Sequence, residues 1–223
     1  MRLPLGQSAV VGRRFIDLSN ELVVAIVRTI EAGWVLALER SEVNTEAGEV
    51  TMTECLRDAM RDALERHRFP WRKTMIVGPG TESRSRAGMT APDGRTDIPL
   101  FLCLVFARSR EHDPHAIIEC KRVAEGDAHL TREYIIEGIN RFKIGKYGEN
   151  HKRGFMIGYV TSGSRVGVVH GINTYLADRS RRAEALAAAS LEGTVASWAS
   201  EHPRASGATP ITLYHSMLLL TGD

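Results

Sequence analysis

Two runs near the middle of the chain, TDIPLFLCLVF (residues 96–106) and HAIIECKRV (115–123), carry apolar side chains at consecutive rather than alternate positions. A strand that is apolar on both sides needs cover on both of its faces. This argues against an open antiparallel sheet with one wet face and for an α/β chain whose helices flank a mixed central sheet. The second run also finishes on charges. Strand alternation groups Ala116, Ile118 and Cys120 on one face and Ile117, Glu119 and Lys121 on the other, so an acid and a base project together from the end of a core strand.

The flanking segments supply the helices. Leu18, Leu22, Ala25, Ile26 and Ile30 recur at helical spacing, and after the polar break NTEAGEV so do Met52, Leu56, Ala59, Met60, Ala63 and Leu64. TMIVG (74–78) reads as a short strand, followed by a loop-like stretch from Gly78 to Arg95 with four Gly and two Pro. The two apolar runs are the next strands, joined by ARSREHDP as a hairpin-like connection. Leu130, Tyr134, Ile135, Ile139 and Phe142 then mark another helix, and RGFMIGYVTSG (153–163) a further strand. The Ala-rich stretch 171–202 is expected to be helical, with a break near Gly193, and TPITLYHSMLLLTG to close as a strand. The predicted order is helix, three strands, helix, strand, with extra helices before and after. We expect a single domain over 1–223.

Composition narrows the functional classes. No apolar stretch is both long and charge-free enough to span a bilayer, and the N-terminus lacks the hydrophobic core of a signal peptide, so a cytoplasmic protein is expected. Cys55, Cys103 and Cys120 are odd in number and scattered, which fits neither a disulfide framework nor a zinc knuckle. Net charge is only +2, but residues 66–97 hold seven basic against three acidic side chains. Such a segment suits a polyanion, and equally a solvated basic face.

The chemistry lies at the charged strand end. If the two apolar strands are antiparallel neighbours, Asp97 at the start of one meets Glu119 and Lys121 at the end of the other. Two carboxylates from adjacent strands, with the main-chain carbonyl of Cys120, make an oxygen site suited to Mg²⁺ or Mn²⁺. A metal so held polarises a phosphoryl oxygen and activates bound water, and Lys121 orients that water or offsets developing charge. Phosphodiester hydrolysis is the expected reaction.

GRTDIPLFL followed by AIIECKR, within the order αβββαβ, resembles the PD-(D/E)XK nuclease superfamily, the restriction-endonuclease-like fold, over roughly residues 51–161. Asp97 matches the family's metal-binding aspartate, and Glu119 and Lys121 match its E-x-K pair. Thr96 stands where the family name has proline, and Pro99 is unusual within a strand, where it predicts a bulge or an edge. The resemblance implies a Mg²⁺-dependent endonuclease acting on DNA in bacterial restriction, repair or antiviral defence. It also implies a homodimer where two strands are cut, and a partner protein where a small chain must find its substrate. The competing expectation is a catalytically silent nuclease-like module that binds nucleic acid or assembles with such a partner.

Further residues carry two readings each. The helix before the three strands often supplies an acid in relatives, and Glu54 is the candidate, with Glu21 less favoured; TMTE also reads as a capping box with Thr51 as N-cap. Tyr134, Glu137 and Arg141 share one side of their helix at spacings of three and four, as site residues or as a surface pair. Arg95 is a candidate substrate contact. Arg122, Lys143, Lys146, Lys152 and Arg153 suit phosphates or plain solvation. Gly138, mid-helix, predicts close backbone packing. His112, His115, His129 and Cys120 fit no zinc spacing, and GPGTES lacks the Lys and Ser/Thr of a phosphate-binding loop.

Overall fold

The computed structural model of the chain describes residues 16–80, 82–83, 94–195, 197–204 and 209–220. Helix α1 (Asn20–Ala37) opens at Ser19, whose hydroxyl accepts the Leu22 N–H. Helix α2 (Glu49–Arg66) opens at Gly48 with no side-chain cap, so Thr51 lies inside the helix and the expected Thr51–Glu54 capping box does not form. The two helices cross closely at Gly33, where a Cβ would sit 2.6 Å from Met60 Cγ.

The chain continues through β1 (Met75–Val77), a small ribbon of β2 (Glu82–Ser83) and β3 (Gly94–Arg95), β4 (Ile98–Leu102), helix α3 (Cys103–Ser109) and β5 (Ala116–Ala124). Helix α4 (Ala128–Glu133) runs through a π-helical turn (Tyr134–Ile139) into α5 (Asn140–Lys143). Then come β6 (Arg153–Ser162), helix α6 (Arg165–Asp178), a 3₁₀ turn (Arg182–Glu184), β7 (Ala187–Ala189), β8 (Ser197–His202) and β9 (Ile211–Leu219). Seven strands form one mixed sheet in the order β1-β4-β5-β6-β9-β8-β7, with β5-β6-β9 parallel and the remaining pairs antiparallel. The protein is therefore α/β, with helices on both faces of a mixed sheet.

The expected two-sided burial of β5 is met. Ala116, Ile118 and Cys120 join the core beneath α1 and α2, whereas Ile117 and Val123 join a second core under α4–α6. β4 and β5 are antiparallel neighbours, with Ile98 opposite Ile118. Gly138 packs closely as expected: a Cβ there would lie 2.5 Å from Met156 Cε on β6.

Besides the capping box, four expectations are corrected. The run 96–106 is strand only to Leu102. At Leu102 its partner β1 gives out, since Met75 pairs with Leu102 and Thr74 O takes the Cys103 N–H, so the next residues close their hydrogen bonds locally as α3. Pro99 causes neither bulge nor edge: β4 is an inner strand in regular register. Its missing N–H faces β1, which has already ended at Val77, while its carbonyl still accepts the Gly78 N–H. Glu119 and Lys121 are not at the end of their strand, because β5 runs on to Ala124. Finally, the stretch 171–202 is helical only to Asp178, and its later residues add strands β7 and β8 to the sheet. No helix among the described residues is long and apolar enough to cross a membrane.

Candidate active site

The antiparallel β4–β5 pairing brings Asp97, just before β4, level with the middle of β5. Asp97 Oδ2 accepts the Cys120 N–H at 2.7 Å, which fixes its carboxylate beside Glu119 and Lys121. Glu119 is fully buried. Its Oε1 receives Lys121 Nζ at 3.1 Å and Arg141 Nη1 at 2.9 Å, whereas Oε2 has no hydrogen-bond partner. Lys121 Nζ also donates to Glu49 Oε1 at 2.7 Å and to the Cys120 carbonyl at 2.8 Å. The three residues read from the sequence as catalytic thus form one buried charge cluster.

The electrostatics follow from burial and mutual repulsion. Desolvation, then the neighbouring Asp97 charge, pushes the Glu119 carboxyl up to about 8, and burial likewise raises Asp97. The two carboxyls together therefore hold a proton more tightly than free acids do. Burial opposes the charge on Lys121, but Glu119, Glu49 and Asp97 outweigh it and hold the ammonium above its ordinary value. Arg141 is raised in the same way, by Glu119 against burial.

Two members of the cluster escaped the sequence reading. Glu49 falls in NTEAGEV, which reads as a loop, yet it is the first residue of α2 and pairs with Lys121; its second oxygen accepts the Arg122 N–H at 3.3 Å. The available signal was an acid directly after a glycine N-cap. Tyr147 is buried, receives Arg141 Nη1 at 3.0 Å and donates to Arg95 O at 2.9 Å, so it ties α5 to the residue two before Asp97. Its hydroxyl is pushed up to about 12, by burial and then by Glu119. Nothing in its immediate sequence marks it, beyond Gly145 and Gly148 on either side.

A cavity of about 110 Å³ opens in front of Asp97, lined among others by Glu49, Glu54, Arg57 and Arg95. Glu119 and Lys121 lie behind it. Glu54 faces this cavity but is paired with Arg57 through both oxygens. Arg95 is exposed at the rim, its Nε on Gly80 O at 3.1 Å. Arg122 is folded back, with Nη2 on Thr45 O at 3.2 Å.

The remaining candidates separate. Glu137 and Arg141 are joined at 3.1 Å, and Arg141 reaches Glu119 while Glu137 stays exposed; Tyr134 does not share their side, being fully buried with its hydroxyl on His215 Nδ1 at 2.8 Å. The π-helical turn, with i→i+5 bonds, breaks the three-and-four spacing that would have aligned them. Lys143 pairs with Glu184, Lys152 with Asp17, and Arg153 with Asn20 and Asp17. Glu21 lies in the first turn of α1 next to the Ser19 cap. His115 Nδ1 accepts the Leu102 N–H, His112 packs edge-on to Phe106 and His129 approaches Glu133. Among the described residues no three His, Cys, Asp or Glu side chains gather as a metal-holding group.

No protein-family model, curated protein or solved structure matches this chain.

Proposed function

We propose that the chain is a metal-dependent endonuclease of the restriction-endonuclease-like fold that hydrolyses DNA phosphodiester bonds in the cytoplasm. The observation that carries the reading is the Asp97–Cys120 bond, which sets one carboxylate beside Glu119 and Lys121 across two antiparallel core strands. The order α2, β1, β4, β5, α4–α5, β6 agrees with the αβββαβ resemblance.

Asp97, Glu119 and the Cys120 carbonyl would hold Mg²⁺ or Mn²⁺, which supplies Lewis-acid polarisation of the phosphate and a more acidic water. Two carboxylates plus water is coordination that Mg²⁺ accepts without a third acidic side chain. The fit rests on Glu119: its Oε2 is buried and receives no protein donor, and a carboxyl raised to about 8, sharing its proton with Asp97, has a proton that a divalent cation between the two would displace. Lys121 places a secured positive charge beside the reacting phosphate, and Arg141 holds Glu119 in place from the other side. A bacterial restriction, repair or defence role, a homodimer and a partner protein follow from the resemblance.

One observation favours the second reading, a silent binding or assembly module. Glu49, Glu119, Lys121 and Arg141 are already paired with one another, and the cavity reaches Asp97 but not Glu119. Incubation with plasmid and single-stranded DNA in Mg²⁺, Mn²⁺, Ca²⁺ or chelator decides between them. Cleavage in Mg²⁺ and Mn²⁺, with little in Ca²⁺, supports the nuclease. Cleavage undiminished in excess chelator, or none in any metal with and without cell extract, overturns it.

A further inference from the structure

Between α2 and β1 the chain reads RHRFPWRKT (66–74), with four basic residues and no acidic one. Its three rings form a ladder. His67 stacks on Phe69 with centroids 5.2 Å apart, and Phe69 stacks on Trp71 at 4.8 Å with planes 10° from parallel. The inner end is pinned: Trp71 Nε1 donates to Thr29 Oγ1 at 3.0 Å, and Phe69 and Trp71 pack on the α1–α2 core. Arg28 of α1 flanks both rings, its guanidinium carbon 5.4 Å from the Trp71 centroid and 5.7 Å from that of Phe69. The outer end is open. His67, Arg66, Arg68, Arg72 and Lys73 are all exposed.

Core packing accounts for Phe69 and Trp71, but not for His67, an exposed third rung surrounded by cations. We infer that this surface is a second nucleic-acid contact, a stacking site for an unpaired base of a single strand, with phosphates held by Arg66, Arg68, Arg72 and Lys73. A base in a duplex already has both faces covered, whereas an unpaired base gains by stacking on an open ring, whatever its identity. The preorganised ladder holds the terminal ring in place before the base arrives.

Position separates this contact from the charge cluster. Glu49 begins α2 beside Lys121 and the ladder comes after its last turn, so the two lie at opposite ends of an eighteen-residue helix, about 27 Å apart along its axis. A strand on the ladder is retained there, not cut. The inference rests on the nucleic-acid function proposed for the charge cluster and adds to it a preference for single strands.

Fluorescence anisotropy on the full chain in excess chelator, over a salt series, tests it with labelled oligo-dT and a duplex of equal length. We expect oligo-dT to bind more tightly than duplex, His67→Ala to weaken it about tenfold with an unchanged melting temperature, and His67→Tyr to retain it. Replacing Arg68 and Arg72 together by Ala should reduce the salt slope by about 1.4, the share of two single-strand phosphate contacts. Oligo-dT binding indifferent to His67→Ala, or duplex bound as tightly as oligo-dT, overturns the inference. Because the assay excludes divalent metal, it reads separately from turnover: a protein that cuts DNA but fails here loses only the stacking site. One that holds oligo-dT through His67 and never cuts keeps the stacking site and loses the nuclease reading.

Discussion

Lys121 donates to Glu49, Glu119 and the Cys120 carbonyl from a position that is only 7% exposed. Seen from sequence alone as a strand-end residue, it would be removable at little structural cost. The structure changes that expectation, because Lys121→Ala leaves a cavity and strips Glu119 and Glu49 of a cation, and breaking a buried pair costs about 3–5 kcal/mol. Glu119 softens the loss by keeping its proton. Lys121→Met separates the roles: it fills the space, so its melting temperature should lie above that of Lys121→Ala, while cleavage falls ~10²-fold in both. Thermal melts beside a plasmid-cleavage assay check this, and a Met variant cutting at the wild-type rate would make the lysine a structural counter-ion. Glu49 gives a second, smaller prediction. Glu49→Gln keeps the hydrogen bond to Lys121 but loses the charge that steadies it, so cleavage should fall about tenfold, a loss on the scale of small misplacements. Glu54→Gln, already masked by Arg57, should change it less than about twofold in the same assay.

At the scale of elements, the π-helical turn is held by a buried polar relay that leaves from one side of it and returns to the other. Tyr134 bonds His215, whose Nε2 meets Ser200 Oγ at 2.7 Å; Ser200 meets His202 Nε2 at 2.7 Å, and His202 Nδ1 meets Glu184 at 2.6 Å. Glu184 then pairs with Lys143 on α5, two residues beyond Arg141. Ser200→Ala leaves the Nε2 atoms of two buried imidazoles without a partner, which costs about 1–3 kcal/mol. We expect a lower melting temperature with an unchanged far-ultraviolet dichroism spectrum, and Ser200→Thr should recover part of it. This relay also explains where the sequence was opaque. Helices α1 and α2 and strands β1, β5, β6 and β9 were legible because their apolar residues repeat at 3.6 or run unbroken between turns. β8 was not: it is alternately buried through Ser200 and His202, which satisfy each other's hydrogen bonds, and polar burial leaves no hydropathy signal. Alanines nearby carry high helix propensity, and pairing with β9 overrides it. Within the site, Asp97, Glu119 and Lys121 were legible because a charge inside an apolar run stands out. Glu49 and Tyr147 were not, since both reach the cluster from segments whose local pattern is loop.

The whole molecule carries two sets of buried titratable groups that oppose each other with pH. Burial depresses His151 to about 4, and it also lowers His202 and His215, so all three rings resist protonation in the folded chain. Their contribution is complete about a unit above the ordinary histidine value near 6.5 and is lost as pH falls through it, because the unfolded chain then takes up protons that the folded one refuses. Glu119 has the reverse sign. Its folded value of about 8 lies above the unfolded 4.5, so its contribution is complete at low pH and is lost as pH rises toward 8. Between about pH 7 and 8 the histidine slope fades and Glu119 supplies the larger one, at no more than about 1.4 kcal/mol per pH unit. In chelator the melting temperature should therefore fall from about pH 7 to pH 8. Two changes should abolish the fall: Glu119→Gln, which has no proton to lose, and Mg²⁺ or Mn²⁺ added to the wild type, which takes the place of that proton. Melts at half-unit intervals, with and without metal, give the result. A slope that persists in Glu119→Gln would assign it to another group, whereas a slope lost in Glu119→Gln but unmoved by metal would mean that Glu119 holds its proton against divalent cations and is no metal ligand.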